Sequence, residues 1–118
     1  MKYLCLVRFD DKDIANFTEQ EWQQMTRDSI AYDVDLKARG HMIMAEALQA
    51  ITTGAIVRKR NGKLSATDGP YAETKEQIAG FILVEARDLN EAIAIAGDIP
   101  LAKIGSIEVR PILNLTAD

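Results

Sequence analysis

The residues of this sequence best suited to chemistry are concentrated in one short run, Thr67 to Phe81, where Asp68, Tyr71, Glu73 and Thr74 fall within seven positions. Two carboxylates, a phenol and a hydroxyl at that spacing can draw a proton from a small molecule or hold its polar groups. Asp68 is the candidate catalytic residue, a base in a cleft where burial would raise its pKa. Tyr71, Glu73 and Thr74 are candidate ligand-binding groups beside it. Each also has a structural reading. Asp68 precedes Gly69-Pro70, and an aspartate at such a break accepts backbone amides within its own turn. Thr74-Lys75-Glu76-Gln77 reads equally as a solvated turn with a local cap. Tyr71 reads as a half-buried ring with a wet hydroxyl, since a phenol near pKa 10 needs strong tuning to act as an acid.

The rest of the chain narrows the chemistry by what it lacks. His41 is the sole histidine and Cys5 the sole cysteine. An internal disulfide, a thiolate zinc cluster and a two-histidine metal site within one chain are therefore excluded. Metal binding is left to oxygen ligands such as Asp68 and Glu73, or to a site across an interface. No glycine-rich phosphate cradle is present, because Gly97 and Gly105 lack the spacing for one. His41 sits at an element boundary after Gly40, a structural or exposed position for a lone histidine. Cys5 lies in an apolar strand, where a thiol behaves as a small hydrophobe. Arg58, Lys59, Arg60 and Lys63 cluster near Asn61-Gly62, as charges that keep a sheet edge soluble do. Glu46 and Arg110 are a candidate cross-strand ion pair.

With 118 residues, 47% of them hydrophobic and 27% charged, the chain is sized for one domain, residues 1–118, with its own core. Its formal net charge of −4 argues against a sequence-independent grip on nucleic acid. No apolar run approaches the roughly 18–20 residues that span a bilayer. Met1-Lys2-Tyr3-Leu4 leads straight into a strand pattern, so the expected location is cytoplasmic.

Positioning these groups requires an alternation of strands and helices. Lys2 to Phe9 alternates Tyr3, Cys5, Val7 and Phe9 against Leu4, Leu6 and Arg8, the period of a strand partly covered on both faces. Thr18-Glu19-Gln20-Glu21 is a capping box, opening a helix that runs to about Arg39 and stops at Gly40. Its buried stripe is Trp22, Met25, Ser29, Tyr32 and Leu36, with Ile30 and Val34 beside it. His41 to Leu48 reads as a second strand. Ile51 to Lys59 and Lys63 to Thr67 flank Arg60-Asn61-Gly62, a strong hairpin signal. Ile78 to Ala86 is a central strand. Asp88-Leu89-Asn90-Glu91 opens a shorter helix with Leu89, Ala92, Ile93, Ala96 and Ile99 inward, closed by Gly97 and Pro100. Ser106 to Ile112 is the last strand. The order predicts an α+β, ferredoxin-like split βαβ arrangement with an inserted β-hairpin and an antiparallel sheet. Two helices cover one sheet face, so the other needs cover, and a homodimer with sheets packed face to face supplies it.

The run Asp68-Gly69-Pro70-Tyr71-Ala72-Glu73-Thr74-Lys75-Glu76-Gln77, followed by Gly80-Phe81, resembles the signature of the DGPF proteins within the YCII-related family. Gly105-Ser106-Ile107-Glu108-Val109-Arg110-Pro111-Ile112 is similar to that family's closing strand, and Asp88-Leu89-Asn90-Glu91-Ala92 to the opening of its second helix. The resemblance implies a ferredoxin-like α+β domain that dimerises into an α/β-barrel-like assembly, and it implies no cofactor. Two departures stand out. Tyr71 replaces the family's usual phenylalanine, adding a hydroxyl. Thr18 to Arg39 contains no histidine, so the histidine–aspartate pair proposed as catalytic in some members does not carry over.

Two functions are therefore expected. The first is a dimeric small-molecule-binding protein or enzyme with a cleft around the Asp-Gly-Pro-Tyr segment. The alternative is a non-catalytic regulatory or protein-interaction module linked to transcription, acting through protein partners.

Overall fold

A computed structural model describes residues 1–68 and 76–116, so Tyr71, Glu73 and Thr74 lie outside the described residues. The elements in order are β1 (Lys2–Asp10), α1 (Asp11–Ile14), α2 (Glu19–Ala38), β2 (Met42–Ala47), β3 (Ala55–Arg60), β4 (Lys63–Asp68), β5 (Glu76–Glu85), α3 (Leu89–Gly97) and β6 (Ser106–Pro111). Short 3-10 turns occupy Ile51–Thr53 and Pro100–Lys103. The fold is α+β. A four-stranded sheet has the order β2-β5-β1-β6, and β3 and β4 form a separate two-stranded ribbon.

Both neighbours of β5 run antiparallel to it, as do both neighbours of β1. Hence β1 and β2 are parallel with β5 between them, and β5 and β6 are parallel with β1 between them. Each parallel pair is bridged by a helix, an arrangement consistent with a ferredoxin-like fold. The same order places β2 and β6 at opposite edges, so Glu46 and Arg110 do not pair. Glu108 instead takes Arg8 at 2.7 Å and Arg110 at 3.7 Å.

Local sequence accounts for the element ends. Thr18 accepts from the Glu21 amide and Glu21 accepts from the Thr18 amide, both at 3.1 Å, completing the capping box of α2. Asp10 and Asp13 form a second reciprocal box and turn the polar break after β1 into a helical turn. At α3 the box is only half made: Asp88 accepts from the Glu91 amide, while Glu91 accepts from Arg87. Asn61 at φ 52° and Gly62 at φ 76° both occupy the left-handed region, as the primed hairpin turn requires.

The core lies between the helices and one sheet face. Tyr3, Cys5, Val7, Ile82 and Val84 meet Leu36 of α2 and Ala92, Ile95 and Ala96 of α3. Along α3 the inward residues are Ala92, Ile95 and Ala96, with Ile99 buried just beyond its end and Leu89 and Ile93 exposed. The helix is rotated from the expected stripe because the small Ala92 and Ala96 let it seat closely with Ile95 between them. Burial pushes the Cys5 thiol up to about 11, which leaves it a small hydrophobe. On β2 a register shift between Met42 and Met44 breaks strict alternation, so Met42 and Ala45 both pack on the core. Among the described residues no helix is long and apolar enough to cross a membrane.

Candidate functional site

A mainly apolar concavity runs between α2 and the β2–β5 side of the sheet. It encloses about 460 Å³ and is lined by Trp22, Met25 and Ile30 from α2, Ile78 and Ala79 from β5, and Leu48 to Ile51 after β2. A volume of that size suits a small ligand. A smaller cavity of about 130 Å³ adjoins it and shares Ser29, Asp33, Ala47, Ala79 and Leu101.

The walls are fixed from several directions. Leu36 is fully buried, and the Tyr32 hydroxyl donates to the Ile95 carbonyl at 2.6 Å, so α2 is held to both the sheet and α3. At the open end, Trp22 stacks edge-on with Phe17 at 5.0 Å and Phe9 at 6.2 Å, giving the groove an aromatic end wall. The Leu48 amide donates to the Ala79 carbonyl at 2.8 Å and continues the β2–β5 contact beyond the strand. The Gln77 amide group donates to Asp11 at 3.1 Å and ties the start of β5 to α1.

Asp33 is the one ionisable side chain common to both compartments. Desolvation raises its pKa above the ordinary carboxylate value. Among the described residues no side chain hydrogen-bonds it and no lysine, arginine or histidine lines either compartment. Ser29 lies one turn earlier on the same helix face, a hydroxyl beside the carboxylate. Glu46 borders the smaller cavity from β2. A carboxylate partly desolvated in an apolar groove without a cationic partner holds its proton more tightly than an ordinary one and is suited to proton handling or to meeting a charged ligand.

The structure places Asp68 at the end of β4, exposed and opposite Ala55, and it is not among the residues lining the groove. The connection that begins after it returns to the described residues at Glu76, one position before the groove-lining Gln77. His41 has its Nδ1 2.9 Å from the Glu85 carbonyl, a bond that fixes it structurally between β2 and β5. Among the described residues no cluster of three or more His, Cys, Asp or Glu could hold a metal ion.

Asp33 was missed from sequence because it sits among Asp28, Asp35 and Lys37 and looks solvated. The available signal was its spacing: Met25, Ser29, Asp33 and Leu36 recur at four, four and three residues, which puts a carboxylate on the buried stripe.

Among known proteins, a family model described as the YCII-related domain matches residues 1–116. An uncharacterized protein of Rhizobium meliloti (strain 1021) is 33% identical over 114 residues, covering 95% of this chain and 92% of its own.

Proposed function

The chain belongs to the YCII-related domain family, and from that premise we propose that it is a homodimeric small-molecule-binding protein whose ligand lies in the groove between α2 and β5. The observation that carries this reading is the partly desolvated carboxylate of Asp33, without a side-chain partner among the described residues, in a groove walled mainly by apolar side chains. Such a group costs stability, and proteins retain that cost where a ligand or a proton transfer uses it. In this reading Asp33 handles the proton if the ligand is turned over. Asp68, Tyr71, Glu73 and Thr74 belong to the proposal as polar groups of the connection leading into Gln77 at the groove wall.

The proposed dimer is a ferredoxin-like pair packed through the helix-free sheet face, and three features support it. Cross-strand pairs Leu4–Leu83 and Leu6–Phe81 set four large apolar side chains on that face. The chain exposes 8619 Å², against about 6,400 Å² for a compact monomer of its mass. Its radius of gyration is 16.4 Å, where about 13.5 Å is usual for this length. Much of the excess is in arms: Val57 and Leu64 of the ribbon are 62% and 71% exposed, and Leu113 and Leu115 after β6 are 78% and 84% exposed. Those arms also favour a second reading, a protein-interaction module, in which the exposed residues meet a different protein. A cytoplasmic location goes with either reading.

A thermal-shift screen of small apolar molecules tests the ligand proposal. Hits that stabilise the wild type and fail with Ser29→Phe, which fills the groove, support it. An absence of hits, or hits indifferent to Ser29→Phe, refutes it.

A further inference from the structure

We infer that the groove selects an organic cation: a ligand with an apolar or aromatic body and an ammonium group seated against Asp33. The inference rests on the groove being a ligand site and adds the charge of its occupant.

Charge complementarity carries it. Among the described residues the titratable side chains facing the two compartments are Tyr32 and Asp33 from α2; Glu46 of β2 borders the smaller cavity but stands opposite Phe81 on the helix-free face, and the described lining of β5 and of the turn through Leu101 contributes none. Tyr32 is committed, its hydroxyl donating to the Ile95 carbonyl at 2.6 Å. Among the described residues, Asp33 is therefore the carboxylate that faces the space, and no basic residue of the lining neutralises it. An anionic ligand would meet the repulsion of Asp33, and a neutral one would leave Asp33 uncompensated. A cation compensates it directly, because an opposite charge favours the ionised form that burial alone disfavours.

The walls suit the same ligand. Trp22, about three turns from Asp33 along α2, stands at the far end of the lining with Phe9 and Phe17 packed edge-on against it, and offers apolar surface to the body of the ligand. The remaining polar lining, Thr26, Ser29, Gln49 and Gln77, supplies hydroxyl and amide oxygens that accept hydrogen bonds from a protonated amine. Cation binding also requires Asp33 to be ionised, so uptake releases a proton wherever Asp33 is protonated beforehand.

The test compares benzyltrimethylammonium, benzyl alcohol and benzoate, which share a ring and differ in charge. Binding is read by the fluorescence of Trp22, the sole tryptophan, and by titration calorimetry at pH 3 and pH 8. The expected order is cation, then neutral, then anion. The cation should bind more tightly at pH 8 than at pH 3, because it is held by the ionised carboxylate. Asp33→Asn should weaken the cation at least about tenfold and leave benzyl alcohol within about twofold. Tighter binding of benzyl alcohol or benzoate than of the cation overturns the inference while leaving the groove a ligand site. Binding of none of the three overturns the inference, and a library screen that also finds no ligand removes the ligand reading beneath it.

Discussion

Gly80 lies so close to Glu46 that a Cβ on it would stand 2.7 Å from the Glu46 carbonyl oxygen and 3.2 Å from the Ala47 Cα. This contact lets β2 lie against β5, and the neighbouring Ala47 and Ala79 line both cavities. The glycine of the Gly80-Phe81 pair is thus a close-approach residue.

Gly80→Ala should consequently destabilise the protein by about 1–3 kcal/mol, the usual cost of an added methyl group in a packed contact. The clash is with backbone, which has no rotamer to yield. Urea unfolding measures it. An unchanged midpoint would show that β2 moves aside freely.

Asp33 links the groove to pH. Its folded pKa is raised by desolvation, so the native state holds the proton more tightly than the unfolded chain. Its favourable contribution is complete below the ordinary value of 3.8 and is lost as pH rises through the folded value. Asp33→Asn removes that loss. The variant should exceed the wild type in stability at pH 7 by under about 1 kcal/mol, since the carboxylate keeps part of its hydration. The gain should vanish at pH 3. Parallel melting curves at the two pH values decide it.

Tyr32 joins α2 to α3 through a hydrogen bond that crosses 63 positions of sequence. Tyr32→Phe keeps the ring and leaves the Ile95 carbonyl short of that donor. The expected loss is about 1–2 kcal/mol. Amide exchange should quicken at the C-terminal end of α3 in the same variant. Wild-type stability with unchanged exchange would mean that packing alone docks the helices.

The helix-free face offers a separate test. Leu6 and Phe81 sit directly opposite one another there, beside the Arg8–Glu108 ion pair. Leu6→Arg places a charge in the middle of the proposed interface. Light scattering should give twice the 13.1 kDa chain mass for the wild type and the single mass for the variant. A monomeric wild type would remove the dimer.

The sequence carried the fold further than the site. Thr18 with Glu21 and Asn61 with Gly62 announce a helix start and a hairpin through chemistry complete within four residues. The side-chain period of β1 groups Tyr3, Cys5 and Val7 on one face before any partner is known, and the structure turns that face inward. What depends on distant neighbours was not legible. The register shift in β2 arises where Met42–Ala47 meets β5, and it places Met42 and Ala45 on one face against the simple alternation. The rotation of α3 depends on how the small Ala92 and Ala96 seat against β1 and α2. Glu46 and Arg110 looked like partners until the strand order separated them. Asp33 is unremarkable among its charged neighbours until the walls of β5 and the Leu48–Ile51 turn close around it.

The most direct test of the account is a chemical-shift map of the isotope-labelled protein titrated with a small aromatic ligand that stabilises it. The account predicts perturbations concentrated on Trp22, Thr26, Ser29, Asp33, Gln77 and Ala79, with the Asp33 carboxyl carbon moving furthest in its titration. Perturbations confined to the ribbon, the helix-free sheet face or the residues after β6, with Asp33 unmoved, would contradict it.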